Sequence, residues 1–164
     1  MKKFFISILT AVMIGATFTG CSGVKGDNDT KLEHVNLSMS ASDIVNKLVD
    51  KDIVSMPIPV DDKMANEVYH LNLEDIYEYG IAETGISPGV ATVVIVKAKE
   101  GKRDSVKESL NKILEDKIGK AFYPEEKEVA ESSEVKVNGD YVSLFILPEE
   151  SLNEANKIYE EAFK

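Results

Sequence analysis

The feature that most constrains this fold is a nearly continuous apolar run, Val90 to Ala98, rich in β-branched residues and broken only by Thr92 and Lys97. Such a run suits a central strand better than an edge strand. A second run, Tyr141 to Leu147, follows Val135-Lys136-Val137-Asn138-Gly139-Asp140. Asn138-Gly139 predicts a hairpin, because this pair readily takes the positive φ angles of a tight primed turn. Upstream, Ile76 to Ala82 alternates as a strand. Ile76, Glu78, Gly80 and Ala82 are expected on one side, with Tyr77, Tyr79 and Ile81 on the other. Gly85-Ile86-Ser87-Pro88-Gly89 supplies turn chemistry between the first two strands.

Helical spacing fills the gaps. Ser40-Ala41-Ser42-Asp43 resembles a capping box ahead of Ile44, Val45, Leu48 and Val49. Pro57 and Pro59 hold the next segment extended, and a short helix is expected near Asp62 to Val68. Val106, Leu110, Ile113, Leu114, Ile118, Ala121 and Phe122 recur at steps of three and four, defining a long amphipathic helix that Pro124 ends. Glu125 to Ser133 reads as an acidic connection. Pro148-Glu149-Glu150 opens a last helix, with proline in its first turn and Leu152, Ala155, Ile158, Tyr159, Ala162 and Phe163 on its buried face. The order is strand, strand, helix, strand, strand, helix, preceded by an N-terminal helix. It predicts an α+β fold: a mostly antiparallel four-stranded sheet with helices packed on one face.

The N-terminal residues speak to location. Lys2 and Lys3 precede an apolar run, Phe4 to Ile14, and Phe18-Thr19-Gly20-Cys21 is similar to a bacterial lipobox. The run is too short to span a bilayer, which takes about 20 residues. Residues 1–20 are therefore expected to be a cleaved lipoprotein signal peptide. Cys21, the sole cysteine, is expected to carry the lipid, since acylation gives a lone extracytoplasmic thiol a role without a disulfide partner. Two acyl chains on it would anchor stably where one would not. Residues 21–39 read as a polar tether reaching roughly 25 Å, and residues 40–164 as a single domain. Asp27-Asn28-Asp29 lacks the spacing, glycine and distal glutamate of a calcium loop. Removing residues 1–20 takes away two lysines and no acid, moving the net charge from −10 to −12. That balance argues against nucleic acid and against electrostatic adhesion to anionic lipid. The expected location is the extracytoplasmic face of the cell membrane, held by the lipid on Cys21.

Catalytic signals are sparse. His34 falls in the tether and His70 stands beside Tyr69, with no HExxH or CxxC spacing, so no metal or other cofactor is expected. There is no Gly-x-Ser-x-Gly, and the one glycine-rich turn leads into a strand rather than a helix. Glu74, Asp75, Glu125, Glu126 and Glu128 are candidate acid and base groups by abundance alone. The tyrosines are better placed for recognition, because a phenol packs its ring while offering its hydroxyl. A binding surface is expected around Tyr69, Tyr77, Tyr79 and Tyr123, with Glu125 and Glu126 as a polar rim. The favoured function is a non-catalytic module that binds an envelope protein, a peptide or a small ligand. The alternative is an envelope enzyme using carboxylates only, acting on wall glycans.

Four segments carry a family resemblance: Tyr69-His70-Leu71-Asn72-Leu73-Glu74-Asp75-Ile76, Val94 to Glu100, Phe122-Tyr123-Pro124-Glu125-Glu126, and Val137-Asn138-Gly139-Asp140-Tyr141-Val142. In order and spacing the chain resembles the short lipoproteins of Gram-positive bacteria grouped as domain of unknown function forty-three fifty-eight, from about Ser42 to the C-terminus. The resemblance implies a lipoprotein location and a shared fold, and it brings no activity with it. It also implies a glutamate just before the long apolar strand, a place held here by Thr92.

Overall fold

The computed structural model describes residues 38–164. The expected signal peptide, Cys21, His34 and the tether up to residue 37 lie outside the described residues. Helix α1 (Ala41–Asp50) starts where Ser40 Oγ accepts the Asp43 N–H at 3.1 Å. Helix α2 (Asp62–Glu67) is capped by Asp61, whose carboxylate accepts the Met64 N–H at 2.8 Å. Strands β1 (Ile76–Glu83) and β2 (Thr92–Ala98) precede α3 (Arg103–Lys120) and α4 (Pro124–Glu131). The hairpin of β3 (Val135–Asn138) and β4 (Tyr141–Ile146) leads to α5 (Glu149–Glu161).

The sheet is antiparallel throughout, in the order β1-β2-β4-β3. The two apolar runs are its central strands, with Val93 opposite Phe145 and Val94 opposite Leu144. The helices lie on both faces, not on one. Ala82, Val93, Ile95, Tyr141 and Phe145 pack with α1 and α5, whereas Val94, Val96, Val142, Leu144 and Ile146 pack with α3, Ala130 of α4, and Ala65, Tyr69 and Leu71. The physical reason lies in the strands themselves: successive side chains point to opposite faces, so an unbroken apolar strand needs cover on both. Each fully buried Leu or Ile contributes about 1.5–3 kcal/mol.

Several local expectations change. Ile76 pairs with Ala98 and Glu78 with Lys97, so Tyr77 is the extra residue of a bulge. The bulge turns Ile76 into the α3-side core, away from the face that holds Ala82. Glu125 to Glu131 is helical rather than an acidic connection, because Pro124 occupies the first turn of α4, where a missing N–H costs nothing. Phe122 lies beyond the C-terminus of α3 and is 84% exposed, not part of its buried face. Leu114 is half-buried, while Phe145 is buried. Pro148 caps α5 instead of entering its first turn. The hairpin forms as expected, but its loop is Gly139-Asp140, and only Gly139 takes a positive φ, +58°. That pattern is a type II′ turn rather than the type I′ turn expected of Asn-Gly.

Candidate functional site

The densest polar packing in the molecule joins the end of β1 to α3. Tyr69, 1% exposed, donates its phenol O–H to Glu83 Oε2 at 2.7 Å, and Lys117 Nζ meets the same oxygen at 2.5 Å. The Lys117 ammonium also lies 5.9 Å from the centre of the Tyr69 ring. Burial pushes the Tyr69 phenol above its ordinary range, and the Glu83 carboxylate adds to the rise. The chain reverses at His70, which takes a left-handed φ of +55° and places Nε2 3.1 Å from Asp116 Oδ2 on α3. Lys120 Nζ donates to the same oxygen at 2.8 Å, and these partners, Lys120 foremost, hold Asp116 down to about 2.

These residues form one wall of an open cleft of about 310 Å3 between the β1–β2 turn, the C-terminal end of α3, and α4. Glu83, Thr92, Lys117, Lys120 and Glu126 line it with Gly89 and Ala130. Thr92, paired with Glu83 across the strands, is buried there. Glu126 ties α4 to the turn: Oε1 accepts the Gly89 N–H at 3.0 Å and Oε2 the Tyr123 N–H at 3.5 Å. Both cleft carboxylates therefore already have donors. Four exposed apolar side chains stand at this end of the molecule. Phe122 and Tyr123 follow Ala121 of the lining, Ile86 projects from the turn, and Met56 belongs to the strand-like segment bonded to Gly85. The rings of Phe122 and Tyr123 meet edge-on at 5.2 Å.

The expected tyrosine surface is thus divided. Tyr123 and Glu126 belong to the cleft end, and Tyr69 lies buried behind it as a support rather than a contact. Tyr77 is exposed at the bulge, at the opposite end of β1. Tyr79 is half-buried, donates to Asp62 Oδ1 at 2.5 Å, and is pushed up to about 12 by burial and that carboxylate. Glu125 is exposed in the first turn of α4, outside the cleft lining. Of the other candidate acids, Asp75 is buried and held below the usual carboxylate range, mainly by Lys102 at 2.8 Å and also by Ser105 at 3.1 Å. These bonds fasten the start of β1 to α3.

Glu83, Lys117 and Lys120 carry the cleft and escaped sequence reasoning. One signal was present: the α3 stripe Val106, Leu110, Ile113 continues at helical spacing into Lys117 and Lys120. Among the described residues, no group of three or more His, Cys, Asp or Glu side chains is arranged to hold a metal ion. No described helix is long and apolar enough to cross a membrane.

A family model described as Domain of unknown function (DUF4358) matches residues 52–147. The match is narrower than the expected span from Ser42 to the C-terminus, and it leaves α1 and α5 outside. Comparison with curated proteins and with solved structures returns no match.

Proposed function

The chain belongs to the DUF4358 family, a domain of unknown function, and we propose that it is a non-catalytic binding module held on the extracytoplasmic face of the cell membrane by lipid on Cys21. The observation that carries the binding reading is the cleft end itself. Met56, Ile86, Phe122 and Tyr123 expose apolar surface around an open cleft whose carboxylates are both held by donors. Exposed apolar groups gathered beside a polar cleft favour association with an envelope protein, a peptide or a small ligand. A hydrolase using two carboxylates needs one free as acid and one as base or nucleophile.

Affinity capture from native membranes with the tagged chain tests this reading. Wild type is expected to recover a reproducible partner, and a Phe122→Ser, Tyr123→Ser double variant to lose it at unchanged far-ultraviolet circular dichroism. Equal recovery by both would overturn the placement. Turnover of wall glycan by the purified chain, abolished by Glu83→Gln, would establish the enzyme instead. Anchoring has its own test. Intact-mass analysis is expected to show a mature chain starting at lipidated Cys21, and a free thiol there, or another start, would contradict it.

A further inference from the structure

The two edges of the sheet differ. Near Glu83 the outer edge of β1 is covered: the Ile58 N–H donates to the Glu83 carbonyl at 2.9 Å, and Pro57 bridges Thr84. At the other edge, β3 pairs only with β4 among the described residues. The two-residue loop makes Asn138 and Tyr141 a hydrogen-bonded pair, so alternation turns the N–H and C=O groups of Val135 and Val137 outward.

Beside this edge, on the α5 face, lies a slot of about 70 Å3 walled by Lys136 of β3, Ser143 and Phe145 of β4, and Leu152 and Asn156 of α5. Ser143 is the one small polar residue of β4 and is itself buried. Tyr159 follows Asn156 by three residues on α5 and meets the Phe145 ring edge-on at 5.5 Å. It is only 7% exposed, and its hydroxyl has no hydrogen-bond partner. The Ser143 hydroxyl stands near it without reaching bonding geometry. Three walls of the slot therefore surround a buried hydroxyl that lacks a partner, an arrangement that costs stability until something supplies one.

We infer that β3 is a docking strand for an extended segment of a partner polypeptide, which adds as a fifth strand and places a small hydroxyl or amide side chain in the slot toward Tyr159. Strand addition takes its affinity from main-chain hydrogen bonds and its selectivity from pockets for alternate side chains. The outward groups of Val135 and Val137 supply the first, and the slot supplies the second. Its volume suits a side chain of a few atoms. Lys136 and the shortness of β3 oppose pairing with a second copy, as charged, short edge strands do. This site is separate from the Glu83 cleft and stands or falls independently of it.

The test selects a phage-displayed library of random heptapeptides on the immobilised full chain in detergent. Enriched peptides are expected to alternate β-branched residues with a serine, threonine or asparagine. Val137→Pro, which removes an outward N–H, should weaken the selected peptide at least tenfold. N-methylation of alternate peptide bonds should do the same on the unaltered chain, which covers the case in which the proline variant fails to fold. Tyr159→Phe should remove most of the preference for the small polar residue over alanine, while Phe122→Ser changes neither. No enrichment, binding indifferent to both backbone changes, or a concentration-dependent dimer lost in Val137→Pro would overturn the proposal.

Discussion

The two faces of the sheet are built from different parts of the chain and closed by different chemistry. The α3 face comes from the interior of the chain and is fastened by polar links: Asp75 to Lys102 and Ser105, Asp116 to His70 and Lys120, and Tyr69 to Glu83. The opposite face is closed by α1 and α5, one from each end of the domain, where the Ser38 N–H donates to the Ala162 carbonyl at 2.8 Å. Its contacts are aromatic and steric. Tyr141, Phe163, Tyr159 and Phe145 form a chain of edge-on rings, and Gly80 lets α1 sit directly on β1. The family match spans the whole α3 face and stops short of α1 and α5. The cleft is thus made by the part of the chain that defines the family, while the ends of the domain supply cover.

If both faces belong to one cooperative unit, Leu110→Ala on α3 and Leu48→Ala on α1, each fully buried, should each cost about 2–5 kcal/mol. Urea melts followed by circular dichroism and tyrosine fluorescence should then show a single transition. A separate early transition in Leu48→Ala would break the equivalence. Gly80→Ala sharpens it. A Cβ there would lie 2.5 Å from the Ala41 carbonyl oxygen and 2.8 Å from Val45 Cγ2, so α1 must shift, at a cost of about 1–3 kcal/mol. A neutral result would mean that α1 does not rest on β1.

Acid should distinguish the faces. Asp75 and Asp116 are both held below their ordinary values, Asp116 at about 2. Their contribution is complete above the unfolded value of about 3.9 and is lost as pH falls through the folded value. Denaturation midpoints should therefore drop between about pH 4 and pH 2, less steeply in Asp116→Asn, with amide exchange rising first on α3. A midpoint rising with acid would contradict these links. The smallest effect belongs to the aromatic face. Tyr159→Phe removes a buried hydroxyl without a partner and should raise stability by about 1 kcal/mol, whereas a loss of that size would reveal a bond to Ser143.

Much of this architecture can be read from the residues. Apolar Val90 to Ala98 and Tyr141 to Leu147 mark the central strands, and the stripe from Val106 to Ile113 marks α3. What eludes sequence reading has local causes. Proline ends one helix and begins the next with equal ease, so Pro124 hides α4, and the Tyr77 bulge reverses the facing of Ile76. Cover on both faces is implicit in the unbroken strands but does not show in the order of elements. The cleft was less legible because Glu83 and Lys117 are 34 positions apart with no motif between them, and they meet only through the packing of α3 on the sheet. Residue type alone drew Tyr69, Tyr77, Tyr79 and Tyr123 together, whereas burial and position along β1 separate them.

Site-specific photo-crosslinking on native membranes tests the functional claim most directly. A photoreactive phenylalanine placed at Phe122, beside the cleft, is expected to yield a discrete adduct with a partner, and the same group at Tyr77, equally accessible at the far end of β1, none. An adduct at Tyr77 with none at Phe122 would place recognition at the wrong end of the molecule and contradict the account.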